Sequence, residues 1–226
     1  DVEPKKLIAQ VANAGIAGMG GAGFPTHVKL SPPPEKNVDT LIINGAECEP
    51  YLTADHRLML EHSDQIAEGI AIVSRILNAK HIYMAIEDNK PDALEAMETA
   101  LAKTSIQATV ISLKTEYPQG AEKQQIYAIT GREVPSGGLP MDVGTVVENV
   151  GTVMAIWDAV LNGRPLIERI TTVTGSAVKN PSNVRARIGT SYSDLLDFCG
   201  GITGSVGKVI SGGPMMGIAQ PALDTT

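Results

Sequence analysis

Cysteine is nearly missing from this sequence. Cys48 and Cys199 are the only two in 226 residues, far apart and without CxxC spacing, which excludes an iron–sulfur cluster or a four-thiolate zinc site built by this chain alone. Two free thiols fit a reducing compartment. The four histidines, His27, His56, His62 and His81, form no HxxxH pair, so the usual helical metal motif is absent. Positive charge is also short: 18 Lys and Arg against 25 Asp and Glu give a net charge of −7, the wrong sign for a nucleic-acid groove. No apolar run approaches the roughly 20 residues that span a bilayer. The chain begins at Asp1 with no Met and no apolar leader, and reads as an internal fragment of a longer protein. Aromatics make up 4%, with two Phe and one Trp, so an aromatic placed beside a glycine loop stands out.

Glycine is plentiful, and most of the chemistry lies in its clusters. The spacing predicts a helix over 5–14 running into the glycine run 15–23, then a proline-rich spacer at 31–34. A strand is expected over 40–43, a helix capped by Ser63 or Asp64, a strand over 81–86, a helix opened by Asp88 or Asn89 with Pro91 in its first turn, and a strand over 107–113. A further helix should end at Gly131, followed by a Pro/Gly-rich loop to Gly144 and a helix over 152–161. Such alternation indicates a parallel-type sheet flanked by helices, an α/β fold. A boundary falls at Asn162-Gly-Arg-Pro165. The chain is therefore divided into an α/β domain over 1–164 and a small α+β module over 165–226, with a strand-like stretch at 167–175, a short helix near 193–199 and a closing strand and turn at 209–214.

Two phosphate-loop look-alikes fail on context. Gly18 to Gly23 matches GxGxxG, but a helix rather than a strand precedes it and Asp39 comes before the next strand, not after it. Gly204 to Lys208 lacks P-loop spacing and the Ser or Thr after the lysine, and is expected to be a β-turn. What remains valid is the physical use of glycine, which lets backbone amides approach an anionic or planar ligand without a Cβ in the way.

The run GMGGAGFPTHVK at 18–29, NGAECEP at 44–50, YPQGAE at 117–122 and ENVGT at 148–152 resemble, in order, the motifs of the 51-kDa flavoprotein family of NADH dehydrogenases. The longer wording at 41–59, EDNKP at 87–91 and GGPMMG at 212–217 are similar to the C-subunit family of the Rnf ion-translocating electron-transport complexes. The resemblance covers almost the whole chain. It implies FMN as cofactor, with Gly18, Gly20, Gly21, Lys29, Asn44, Glu47, Tyr117, Gly120, Glu122, Asn149 and Thr152 around it. It also implies NAD(H) as substrate, with Phe24, Glu49 and Glu87 on the nicotinamide side. The residue types suit those tasks: Lys29 supplies a cation, Asn44 both donates and accepts, carboxylates accept from ribose hydroxyls, and a phenylalanine can stack on a ring. Ala46 and Glu148 depart from the family pattern, which has an acid and an asparagine there.

By the same resemblance, no side chain need act as acid or base, because the cofactors carry the chemistry. The tail module should be an SLBB-like β-grasp domain. [4Fe-4S] clusters would lie only in the full-length protein. The partners implied are other subunits of a membrane electron-transport complex and, indirectly, ferredoxin, with peripheral placement on the cytoplasmic face of the plasma membrane and no span of its own. A cobalamin-reductase-like flavoprotein and a non-catalytic binding scaffold remain the alternatives.

Overall fold

The computed structural model describes residues 2–226. Four parallel strands, β1 (Thr40–Asn44), β2 (His81–Glu87), β3 (Thr109–Leu113) and β4 (Thr145–Asn149), form one sheet in the order β3-β2-β1-β4. β1 lies in the centre, with Thr40 beside both His81 and Thr145 and Asn44 beside both Ala85 and Asn149. Side chains alternate between the two faces, as the strand period requires. Leu41, Ile43, Ile82, Met84, Ile86 and Val146 enter the larger core, built with α1 (Pro4–Asn13), α4 (Ser63–Leu77), α5 (Pro91–Leu101) and α7 (Val150–Asn162). Ile42, Ala85, Leu113 and Val147 face a smaller core closed by Ile126 of α6 (Glu122–Thr130).

Helices α4 and α7 make the tightest helix contact. A Cβ on Gly69 would lie 2.7 Å from the Val153 carbonyl oxygen, so only glycine allows this approach. Two short helices, α2 (Thr26–Lys29) and α3 (Ala54–Glu61), were not expected from the pattern. Nor was β4, whose five residues lie between the end of the expected loop at Gly144 and the expected helix over 152–161, a stretch given no element. The expected caps of α4 and α5 also differ. His62 and Lys90 occupy the N-cap positions, and neither makes a side-chain cap bond. Asp39, the misplaced acid of the GxGxxG reading, sits at the opposite edge of the sheet from the strand ends. Its carboxylate is bonded to Arg132 at 2.7 Å, which holds it below the usual carboxylate range.

After α7 the chain forms an antiparallel pair, β5 (Glu168–Val173) with β6 (Ser182–Arg187), then α8 (Tyr192–Phe198) and a two-residue pair, β7 (Ile210–Ser211) with β8 (Ile218–Ala219). Its own core is only Val173, Val184 and Cys199 with three partly buried neighbours. So small a core gives little independent stability, and the module leans on the α/β domain through defined bonds. The Leu166 amide donates to the Ala14 carbonyl at 2.8 Å, and Arg169 donates to the Met19 carbonyl at 3.2 Å. Residues 204–208 form a bend in irregular chain, not the β-turn expected.

Candidate functional site

In a parallel sheet the helical connections leave a crevice beyond the carboxyl ends of the strands, where the strand order reverses. Here β1 connects towards β2 on one side, while β4 lies on its other side. The reversal therefore falls between Asn44 and Asn149, the last residues of β1 and β4. Three loops converge on this edge: the glycine loop after α1, residues 45–53 after β1, and residues 114–121 after β3.

The glycine loop is closed at its base by an isolated antiparallel bridge between Ala17 and Pro25, with the Gly18 amide donating to the Phe24 carbonyl at 2.9 Å. Its tip rests on the start of α7. The Met19 amide donates to Thr152 Oγ1 at 3.0 Å, and a Cβ on Gly20 would approach Asn149 Nδ2 to 3.0 Å. Gly20, Asn149 and Thr152 are thus brought together, with Gly18 and Gly21 on the same loop. Asn149 is the N-cap of α7, its Oδ1 accepting from the Gly151 and Thr152 amides at 2.8 and 3.4 Å. The Gly151 and Thr152 amides are therefore already satisfied by this side chain.

Asn149 also reaches α3, the helix that follows the loop after β1. Its Nδ2 donates to Asp55 Oδ2 at 2.7 Å. Glu47, in turn, accepts from the Asp55 and His56 amides at 3.1 and 3.2 Å, capping the start of α3. Burial, followed by the Asp55 charge, pushes the Glu47 carboxyl up to about 7, against the pull of the two amides and Lys90. Burial raises Asp55 as well, opposed by the Asn149 bond and the charges of Arg169 and Lys90. Two carboxyls in one enclosed site disfavour each other's ionisation.

Lys29 and Glu122 form a 2.7 Å ion pair, each about one-third exposed. Beneath them lies Glu148, 2% exposed, whose Oε1 has no hydrogen-bond partner among the described residues. Burial pushes Glu148 up to about 7; Lys29 opposes the rise and Glu122 adds to it. Asn44 has an inward-facing task. Its Nδ2 donates to the Gly120 carbonyl at 2.9 Å, and its Oδ1 accepts from the Ala46 amide at 3.0 Å and Gln125 Nε2 at 2.7 Å. It ties the loops after β1 and β3 together, leaving its side chain engaged by protein.

Glu47, Glu49, Glu87 and Tyr117 line one cavity of about 460 Å³. Glu87, 1% exposed at the end of β2, is bonded through Oε2 to Lys90 Nζ at 3.0 Å, while its Oε1 is buried without a partner among the described residues. Glu49 accepts from the Met215 and Met216 amides of the tail module at 2.9 and 2.8 Å. Phe24, 54% exposed, stands outside that lining. A crevice of about 100 Å³ lies on the other side of Asp55, walled by Met19, Gly151 and Arg169. Sequence reasoning did not single out Gln125, Asp55, Lys90 or Arg169 as site residues; Gln125, Asp55 and Arg169 carry no local signal, since each acts across long sequence distance, whereas Lys90 bonds Glu87 only three residues away. It noticed Glu148 only as a departure from pattern. Arg57 pairs with Glu61, an acid one turn along its own helix, Nε to Oε1 at 3.1 Å.

These features suit a flavin nucleotide. The crevice lies at the strand-order reversal, glycine keeps a Cβ out of its wall, Lys29 brings a cation, and Glu148 offers a buried acceptor without a donor. Residues 11–158 match the model of the Nuo51 FMN-binding domain. The chain belongs to this family. Residues 170–219 match the SLBB domain, so an SLBB domain follows the FMN-binding domain. The chain is 58% identical over 224 residues to the C subunit of the proton-translocating ferredoxin:NAD(+) oxidoreductase complex of Clostridium ljungdahlii, covering 99% of this chain and 49% of that protein. It is 50% identical to the C subunit of the Na(+)-translocating ferredoxin:NAD(+) oxidoreductase complex of Acetobacterium woodii, covering 99% of this chain and 50% of that protein. With the C subunit of the ion-translocating oxidoreductase complex of Pseudomonas aeruginosa the identity is 48%, over 97% of this chain and 28% of that protein. The chain thus spans half or less of these relatives, all of them oxidoreductase subunits. The same fold occurs in an NAD+-reducing [NiFe]-hydrogenase, with TM-score 0.78 and 22% identity over 92% of this chain and 40% of that one.

Proposed function

We propose that this Nuo51-type domain holds FMN in the β1/β4 crevice and presents it to NAD(H), as the electron-entry or exit module of an Rnf-type NAD:ferredoxin oxidoreductase. The observation that carries the reading is the pair of buried, unpartnered acceptors, Glu148 Oε1 and Glu87 Oε1, at the ends of β4 and β2, where bound nucleotides would supply the missing donors. Bound FMN supplies the exchange between two-electron and one-electron chemistry.

The chain's own residues bind and orient. The glycine loop and Asn149 wall the crevice, and Lys29, Gly120 and Glu122 close it from the side of α6. Asn44 holds the Gly120 loop, so that Tyr117 stands at the cavity. Glu47, Glu49 and Glu87 are the acceptors for a nicotinamide nucleotide, with Phe24 on the rim. Lys90 keeps Glu87 from carrying an unbalanced charge. In the longer protein, iron–sulfur clusters outside this chain would relay electrons to partner subunits and, through them, to or from ferredoxin, with the protein peripheral on the cytoplasmic face. No described helix is long and apolar enough to cross a membrane.

The test is titration of FMN with the chain. Flavin fluorescence should be quenched on binding, and Lys29→Met should weaken the affinity about tenfold, the scale of a lost charge-assisted bond. Anaerobic NADH should then bleach the bound flavin. Failure of wild-type protein to quench FMN at tens of micromolar would favour the non-catalytic scaffold and sink this proposal.

A further inference from the structure

Residues 47–53 contain a conformation that neither the core nor the helices explain. Tyr51 has φ +69°, in the left-handed region where a bulky side chain is rare and persists only if its surroundings hold it there. Packing does not hold it, since the residue is 73% exposed. The SLBB domain holds it from both sides. Before Tyr51, Glu49 is gripped by the Met215 and Met216 amides. After it, the Thr53 amide donates to Thr172 Oγ1 at 3.2 Å, and Asn183 Nδ2 donates to Thr53 Oγ1 at 2.9 Å and to its carbonyl at 3.2 Å. A glycine would make the same turn without strain, so the tyrosine side chain must serve something else.

That side chain lines the 460 Å³ cavity together with Tyr117, Glu47, Glu87 and Lys90. An exposed aromatic ring on one wall, a second tyrosine in the lining and a buried free acceptor at Glu87 suit a planar ring carrying hydrogen-bond donors. We infer that Tyr51 is a stacking wall for the nicotinamide nucleotide, and that the SLBB domain serves the substrate site by holding the 47–53 loop with this ring in place. The inference rests on the reading of the cavity as the nucleotide site.

The experiment compares wild type, Tyr51→Gly, Tyr51→Phe and Asn183→Ala, each loaded with FMN, by direct titration with NADH and by thermal melting. Tyr51→Gly should weaken NADH binding about 3- to 10-fold, the scale of one ring contact. FMN affinity should be unchanged and the melting temperature at or above wild type, because the strain is relieved. Tyr51→Phe should restore the lost affinity. Asn183→Ala, which leaves every cavity side chain in place, should shift NADH affinity in the same direction as Tyr51→Gly. A Tyr51→Gly protein that melts lower, or binds NADH like wild type, would overturn the stacking role. Wild type that holds FMN yet binds no NADH would overturn the underlying reading as well, and that result is visible without any variant.

Discussion

Glu148→Gln tests the electrostatics of the crevice without any ligand. The native carboxyl is raised from 4.5 to about 7, first by burial. At 1.36 kcal/mol per unit, holding it ionised in the folded chain costs up to about 3 kcal/mol. The sign follows from proton binding: between pH 4.5 and about 7 the folded state keeps a proton that the unfolded state has released. This stability is fully present below pH 4.5 and is lost as pH rises through 7. Glutamine keeps the shape and carries no charge. In urea denaturation of the FMN-free chain, wild type and Glu148→Gln should therefore differ little at pH 5, while at pH 8 the variant should be more stable by up to about 3 kcal/mol. Wild type should still lose more than the variant on going from pH 5 to 8, although Glu47, also raised to about 7, gives both proteins a residual slope. Parallel pH profiles for the two proteins would refute the buried-charge argument.

Other substitutions probe the scaffold around the crevice. Asn149→Ala removes the cap of α7 and the donor to Asp55, and should destabilise the fold by about 1–3 kcal/mol in denaturant titration; an unchanged midpoint would refute the double role. Gly120→Ala drives a Cβ against the Ala46 carbonyl and within 3.0 Å of Cys48 Sγ. It should cost about 1–3 kcal/mol and also lower FMN affinity, measured by flavin quenching. Loss of stability with full FMN affinity would remove Gly120 from the pocket.

Much of the architecture was legible because it is local. Short β-forming apolar runs marked β1 and β2, a helical stripe marked α4, and Gly131 announced the end of α6, where it adopts φ +69° as the C-cap. Four motifs in order marked the family, because glycine and paired acids at fixed spacing report close backbone approach and a polar pocket. The sequence misled where an element is short and its purpose lies elsewhere. β4 is five residues between a glycine turn and a helix, and only its pairing with β1 makes it a strand. Without that strand, the reversal of strand order that locates the crevice could not be seen.

Side-chain assignments depended still more on tertiary structure. Asn44, Asn149, Glu47 and Glu49 had the right chemistry for ligand contacts, yet each is also engaged by protein groups: Gln125, Asp55 and the amides at 215–216 from distant parts of the chain, and for Glu47 the amides of nearby α3. A polar residue type states what bonds it can make; which partner it meets depends on what the fold brings within about 3 Å. The unpartnered oxygens of Glu87 and Glu148 and the left-handed Tyr51 illustrate the same limit. Burial without a donor, and strain without packing, are properties of the assembled chain, because both depend on neighbours that sequence order does not place there.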